Sequence, residues 1–392
     1  AIGYLLSEEK FMEPYKDTFS KIKFRGSFGL TGNDQLDGRR FAYQTTLGED
    51  GTGYDWGTNG QYYHRNSRFE GDFGIPNLTW ETVSKTNAGF ELGLWNMIDF
   101  QVDYFFEHRY NIFMKRNNIP TSAGFRNTPW ANYGKVNNQG IDLALNVNKQ
   151  INKDLYVGFR GSFTYAQNKI IEQDEALGVM GTNRQRTGEK VNQLFGLVDE
   201  GLFTFDDFQK DANGDYLIAE NGGYVVNEDI PTHTFGPVRP GDIKYKDVNG
   251  DGVVSSLDET AIGGTYNPQI VYGFGANFRY KNLDFNIFFQ GNGMTYGFKG
   301  GETMGAMGDI LTNYQDRWTV ENPSQDVYYP RLTWGKSENN VRNSTWWLEN
   351  MSFLRVKDIE IGYTLPKSWV RQIGLSNIRL YAKGSNLFTF SK

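Results

Sequence analysis

Apolar and polar residues alternate with period two along most of the chain, which predicts β-strands with one apolar and one polar face. Between Gly89 and Trp95, Phe90, Leu92 and Leu94 share one face while Glu91 and Gly93 occupy the other. Ile98, Phe100, Val102, Tyr104 and Phe106 then alternate with Asp99, Gln101, Asp103 and Glu107. Asn96-Met97 separates the two runs, so they predict an antiparallel hairpin with a tight connection. The pattern returns in Ile141, Leu143, Leu145 and Val147, and after a polar turn over 148–154 in Leu155, Val157, Phe159, Gly161, Phe163 and Tyr165. Tyr272, Phe274, Ala276 and Phe278 lead through Lys281-Asn282 to Leu283, Phe285, Ile287 and Phe289. Ile359, Ile361 and Tyr363 precede a turn at Pro366, and Ile378, Leu380 and Ala382 follow it. The pattern predicts about nine or ten strands, several of them longer than the roughly 9–11 residues that cross a bilayer.

The connections fall into two lengths. Short turns follow Asn96, Asn148 and Lys281, whereas polar connections span roughly 31–78, 113–135, 167–265 and 292–345. Short turns at one end and long loops at the other fit an outer-membrane barrel better than a soluble sandwich. The second face of the strands repeatedly carries Asp, Glu, Gln, Arg and Asn, too polar for a packed core and suited to a wet lumen. An open sheet cannot stand in a bilayer, because its edge N–H and C=O groups go unpaired. Ten-odd strands therefore imply partner strands from the same polypeptide, and the chain, with neither initiator Met nor signal peptide, is expected to be a piece of a longer one. The pentapeptide Phe-Arg-Gly-Ser-Phe occurs at 24–28 and 159–163, read as repeated strand chemistry, and no linker divides the chain into domains.

Composition agrees with this reading. Phe 29, Tyr 23 and Trp 9 make 16% aromatic in 392 residues, with 46 Gly against 11 Pro, which favours strands and turns. Mean hydropathy is −0.58 and no apolar run is long enough for a transmembrane helix, which leaves a membrane barrel open because its faces average out. The formal charge of −6, without a basic block, excludes a nucleic-acid footprint. Cys is absent, which excludes disulfides and thiol chemistry, and His64, His108 and His233 are scattered.

The sharpest motif is Asp247-Val248-Asn249-Gly250-Asp251-Gly252-Val253-Val254-Ser255-Ser256-Leu257-Asp258. A hard cation needs several oxygens about one centre, and this spacing matches a Ca²⁺ loop. Asp247, Asn249 and Asp251 would converge from alternate positions, with Val253 offering its carbonyl, Ser255 a hydroxyl or water contact and Asp258 the closing carboxylate. The bland alternative is an Asx- and Gly-rich turn without metal. The flanks are not helical, so an ion here would stiffen a loop, not drive a paired switch. A second stretch, Asp211 to Tyr216, lacks glycine at its sixth place and reads as a hairpin turn.

Tyr62, Tyr63, Tyr328 and Tyr329 form two aromatic pairs in long connections, where flat rings could stack on a ligand, or else pack locally or join an interfacial girdle. Trp346-Trp347 is a third pair, at the start of a strand. Met307, Ile310, Leu311, Tyr314 and Trp318 lie near helical spacing and suggest a loop helix at a partner interface, or local packing. No catalytic residue is assigned: G-x-S-x-G, P-loop and H-E-x-x-H patterns are missing, and Asp99, Asp103 and Glu107 read as lumen-facing charge rather than a glycosidase dyad.

Several phrases taken together resemble the C-terminal half of a SusC-like (RagA-like) TonB-dependent outer-membrane transporter. They are the run Lys21 to Asn33, Leu78-Thr79-Trp80-Glu81 with Lys85 to Gly89, Pro240 to Asp247 leading into the metal-type loop, Phe288-Phe289-Gln290-Gly291, Ser352 to Asp358, and Ile361 to Pro366. The resemblance spans nearly all of residues 1–392. It implies an all-β, multi-pass antiparallel barrel of about 22 strands with an N-terminal plug, in the outer membrane of a Gram-negative bacterium. It also implies import of an oligosaccharide or peptide, driven by the TonB complex, with a SusD-like surface lipoprotein over the mouth. The plug, first strands and TonB box have no counterpart here, and 247–258 would be a Ca²⁺-binding-like loop within an extracellular loop. The loops near 31–78, 167–265 and 292–345 would then carry ligand and lipoprotein contacts. A soluble, secreted, Ca²⁺-stabilised β-sandwich that binds carbohydrate is the alternative, opposed by strand length and by the charged second face.

Overall fold

The computed structural model describes all residues except 37, 59–62, 300–311, 336, 373 and 392. Ten strands form one antiparallel sheet in chain order. They are β1 (Ile2–Leu5), β2 (Phe19–Asn33), β3 (Glu81–Leu94), β4 (Ile98–Lys115), β5 (Trp130–Gln150), β6 (Leu155–Glu172), β7 (Ile270–Tyr280), β8 (Leu283–Gly293), β9 (Phe353–Thr364) and β10 (Arg379–Ser391). A sandwich needs two sheets packed face to face, and ten strands in a single sheet do not make one. The short turns all lie at one end: 6–18, 95–97, 151–154, 281–282 and 365–378, the last containing the helix Lys367–Gln372. Trp95 and Asn96 both take left-handed backbone (φ 53° and 55°), the geometry of a tight hairpin turn that matches strand twist.

Register shows how the period-two pattern becomes a surface. One row crosses all ten strands through Tyr4, Phe24, Phe90, Val102, Leu143, Phe163, Tyr272, Gly291, Leu354 and Phe390. The next row on the opposite face runs Lys23, Glu91, Gln101, Ala144, Ser162, Gly273, Gln290, Arg355 and Thr389. A one-residue slip of any strand would exchange these faces, so the pairing is tightly specified.

The apolar face has an upper limit. Toward the long-loop end it reaches Tyr104, Ile141 and Tyr165, and the next paired row on that face is Thr86, Phe106, Gln139 and Gln167. The Tyr165 hydroxyl donates to Gln167 Oε1 at 3.2 Å, and that of Tyr104 to Gln139 Oε1 at 3.4 Å. Beyond them, Ser84, His108, Asn137 and Lys169 make the outward row fully polar. Strands β4, β5 and β6, with 18, 21 and 18 residues, rise past this limit.

At the other end, the connections 173–269 and 294–352 fold together into a loop body. Its core holds Leu197, Leu202, Ile243, Tyr245, Val254, Tyr314, Trp318, Tyr329 and Trp347, with a satellite of Phe203, Phe208, Val226 and Val238. Short strand pairs frame it, among them Gln193–Gly196 with Thr260–Thr265 and Asp199–Leu202 with Ile243–Tyr245. The connection 34–80 instead extends a hairpin, Leu47–Trp56 with Tyr63–Glu70.

Candidate functional site

On the polar face, charges from adjacent strands are brought into direct contact. Arg25 on β2 donates from Nε to Asp103 Oδ1 on β4 at 3.0 Å and lies 3.2 Å from Glu91 Oε1 on the intervening β3. Lys21 and Lys23 reach the same Glu91 at 2.5 and 3.5 Å, and Gln101 donates to Asp103 at 2.8 Å. Arg25 crosses directly over Gly89, where a Cβ would overlap both its guanidinium and the Asp103 carboxylate. A second cluster sits near the far edge. Arg379 donates to Asp284 at 3.0 Å and to Glu360 at 2.6 Å, and Lys383 lies 3.4 Å from Asp358. Asp103 is held by Arg25, and Glu107 by Lys85 at 3.3 Å and Asn138 at 3.2 Å.

The loop body is pinned by a buried polar hub. Asp242, fully buried, accepts from Arg331 at 3.2 and 2.8 Å, from Asn340 Nδ2 at 2.8 Å and from the Arg239 amide at 2.8 Å. Burial pushes the Asp242 carboxyl above its ordinary range against these partners. His233 donates from Nδ1 to Asn339 Oδ1 at 2.8 Å, while its Nε2 accepts the Tyr245 amide at 3.5 Å, and burial pushes its pKa down. The ring is thus used as a neutral imidazole, one nitrogen donating and one accepting. Tyr245 donates its hydroxyl to the Asn339 carbonyl at 2.8 Å, and Trp347 Nε1 donates to Asn340 O at 2.7 Å. The preceding turn needs Gly241: its φ is +86°, and a Cβ would overlap the Trp318 ring. Sequence reading found Pro240-Gly241-Asp242 as a phrase, but no local signal points to Arg331 or Asn340, about ninety residues onward.

The 247–258 loop closes on its own backbone. Asp247 accepts the Gly250 and Gly252 amides, each at 2.7 Å, and these amides hold its carboxyl below the ordinary range. Asn249 accepts the Asp251 amide and Asp251 the Val253 amide, both at 2.9 Å. Buried Asp258 accepts from Val248 at 2.9 Å, Asn249 at 3.2 Å and Ser255 at 2.8 Å, and the Ser255 hydroxyl accepts the Leu257 amide at 3.0 Å. Among the described residues, no group of three His, Asp or Glu side chains is arranged to hold a metal ion. Asp211 forms the expected turn, accepting the Asn213 and Asp215 amides at 2.8 and 2.9 Å.

The tyrosine candidates separate. Tyr62 lies outside the described residues, as does most of the stretch read as a helix over 304–318. Tyr63 is exposed on the 47–70 hairpin with the Arg65 guanidinium 4.9 Å from its ring centroid. Tyr328 is half-buried with Lys299 4.3 Å over its ring. Tyr329 is a correction: it is core, stacked on Tyr314 at 4.4 Å and tilted against Trp347 at 5.9 Å, so its ring is not presented to a ligand. Trp347 closes a single 3-10 turn, Thr345–Trp347, and its ring joins the same core.

An antiparallel meander with a lipid-compatible outer face, a charged inner face, short turns at one end and a folded loop body at the other is the architecture of the TonB-dependent β-barrel receptors of the outer membrane. In sequence the chain is similar to SusC-like receptors along its whole length. No family model matches the chain. TonB-dependent receptor P26 of Formosa agariphila is 28% identical over 412 residues, covering all of this chain and 37% of its own length. SusC of Bacteroides thetaiotaomicron is 23% identical over 405 residues, again across the whole chain and 36% of its own. The chain thus spans little more than a third of the curated relatives it matches. The fold is shared with the structure of the RagAB peptide transporter, with a TM-score of 0.70 at 21% identity over all of this chain and 39% of that one. TonB-dependent receptors of this kind are barrels of the Gram-negative outer membrane, and that is where this sheet belongs.

Proposed function

We propose that the chain forms part of the barrel wall and extracellular loops of a transporter that imports an oligosaccharide or peptide through the outer membrane, without catalysing a covalent reaction. Partners are the TonB complex, engaged by parts of the protein outside this chain, and a SusD-like lipoprotein seated on the loops. The observation that carries this reading is the ten-strand register: one uninterrupted apolar face backed by a face of paired charges, a wall between lipid and a wet lumen. Its likeness to TonB-dependent receptors and the fold it shares with the RagAB peptide transporter support it. The test is uptake of labelled maltoheptaose and of a labelled casein digest by cells making the full-length protein and its lipoprotein, with and without TonB. The proposal expects TonB-dependent uptake of at least one; uptake of neither, or uptake indifferent to TonB, contradicts it.

For the 247–258 loop we propose a structural Ca²⁺. The D-x-N-x-D-G spacing and the buried Asp258 support it, with Asp247, Asn249, Asp251, Val253 and Ser255 as the remaining ligands. The amide hydrogen bonds already give the loop its shape, so the ion would add only modest stability. Calorimetric titration with Ca²⁺ should show binding to the wild type that Asp251→Ala removes; the same null for both would sink the assignment.

A further inference from the structure

The loop body contains a concavity that neither the calcium-type loop nor the aromatic pairs mark. Asp174, Glu175, Arg184, Arg186, Phe195 and Glu259 line a cleft of about 450 Å³, within the range of small-ligand sites. Its walls come from distant segments fixed to one another before any ligand arrives. Asp174 accepts from Arg116 Nε at 2.9 Å and from the Asn118 amide at 3.1 Å, tying the 116–129 loop to the end of β6. Glu175 accepts the Arg186 amide at 3.0 Å, the Thr187 amide at 2.7 Å and the Thr187 hydroxyl. Asn183 Nδ2 donates to the carbonyls of Leu257 and Glu259 at 2.8 and 2.9 Å, anchoring the arginine-bearing loop.

These bonds decide which groups are left for a ligand. Asp174 and Glu175 are filled: although burial opposes it, Arg116 and the Asn118 amide hold the Asp174 carboxyl below its ordinary range, and the Arg186 and Thr187 amides, the Thr187 hydroxyl and the Arg186 charge do the same for Glu175. Arg184 and Arg186 are different: among the described residues neither guanidinium meets a carboxylate at ion-pair distance. Arg186 lies instead over the Phe195 ring at 4.3 Å. That arrangement covers the aromatic face that a neutral sugar would stack on. Glu259 keeps its carboxylate free of hydrogen bonds among the described residues. The unmet capacity of the cleft is therefore ionic: two planar N–H forks that match a carboxylate, and one acid beside them.

We infer that this cleft is a subsite for a carboxylate-bearing oligomer. It rests on the transporter reading and narrows it. Arg184 and Arg186 bind the ligand's carboxylate, Glu259 faces an ammonium or amide N–H where the ligand has one, and a neutral oligosaccharide gains nothing there. The carboxylate can come from a peptide or from a uronic-acid oligosaccharide. The experiment separates these sources, using full-length receptor purified with its lipoprotein in detergent. Tryptic casein digest, oligogalacturonate and maltoheptaose are each offered to wild type and to the Arg184→Gln/Arg186→Gln variant, and retained ligand is quantified by mass spectrometry. The expected result is retention by wild type in at least one acidic arm, reduced at least about tenfold in the variant and weakened by salt, with maltoheptaose equal in both. Equal retention by both proteins in the acidic arms, retention of maltoheptaose alone, or retention of nothing would overturn the subsite. Heat-modifiable migration confirms that the variant barrel is folded. Should it not fold, Glu259→Gln serves instead: it should weaken the casein arm and spare the oligogalacturonate arm, and no change in the casein arm would count against the subsite. TonB-dependent uptake measured alongside keeps the two ideas apart, since the subsite can fail while uptake persists.

Discussion

The sheet and the loop body use the same residue types and place them in opposite ways. On the sheet, Phe28 is 69% exposed and Ile361 50%, while Glu91 and Asp103 are only 9% and 7% exposed. In the loop body the aromatics at the centre are hidden instead, with Phe203 0% and Tyr245 1% exposed. The difference follows from the solvent. A wall in lipid gains nothing by hiding its aromatics, and its cohesion comes from backbone pairing and from charges neutralised on the wet side. A body standing in water must bury its aromatics, and holds its few interior charges only where each is matched.

The largest effect should come from breaking the interior charge of the loop body. Asp242→Ala leaves Arg331 without its buried partner and takes from Asn340 Nδ2 one of its two acceptors, at a cost of about 3–5 kcal/mol. The expected outcome is rapid proteolytic cleavage within 173–269 and 294–352, with the barrel still heat-modifiable on a gel; an unchanged cleavage pattern would mean the hub does not hold the loops. The wall should respond to sign and face. Leu143→Arg, on the lipid row, should cost about 2–4 kcal/mol in refolding into lipid vesicles, whereas Ala144→Arg, one residue on, should cost almost nothing. Equal costs would mean the two faces are not in different solvents.

A smaller effect separates the regions by pH. His233 is lowered in the folded state, so the unfolded chain binds its proton first, and stability falls as pH drops below about 6.5 toward the folded value. The loss is at most about 1.4 kcal/mol per pH unit. Asp242 works with the opposite sign, its raised carboxyl favouring the folded state at acid pH, so the measurement must be a difference. Between pH 7.5 and 5.5, wild-type loops should become more protease-sensitive than those of a His233→Gln variant, and parallel profiles would count against the neutral-ring account. The smallest effect expected is from Ca²⁺: chelation should lower the melting temperature of the loop body by a few degrees at most, because the 247–258 amides keep the loop closed.

Much of the wall was legible, because period-two alternation is a local signal and each strand repeats it. Leu143 against Ala144, or Phe285 against Asn286, announces its face without reference to any neighbour. What the pattern could not supply was register, since Phe90 meets Val102 and Leu143 only once three strands are aligned. The upper limit of the apolar face was hidden for the same reason: Gln139 and Gln167 become a boundary only as a paired row. The loop body was far less legible. Its core draws Leu197, Ile243, Tyr314 and Trp347 from points scattered over 150 residues, with no periodicity to connect them. Tyr329 shows the consequence, for an aromatic pair in a long connection looks alike whether it is presented or packed. The cleft lined by Arg184 and Arg186 left no sequence signal, because its character depends on which carboxylates are already occupied.

The central claim is that the two faces of one sheet meet two solvents. Residues 1–392 contain no cysteine, so, with any cysteine elsewhere in the full-length protein changed to Ser, single spin labels can be placed at Leu143→Cys, Ala144→Cys, Ser162→Cys and Phe163→Cys in lipid vesicles. Collisional relaxation by oxygen, which partitions into lipid, is then compared with relaxation by a water-soluble nickel chelate. The account predicts that labels at 143 and 163 respond to oxygen and those at 144 and 162 to nickel, alternating residue by residue. Nickel access at all four positions would contradict it.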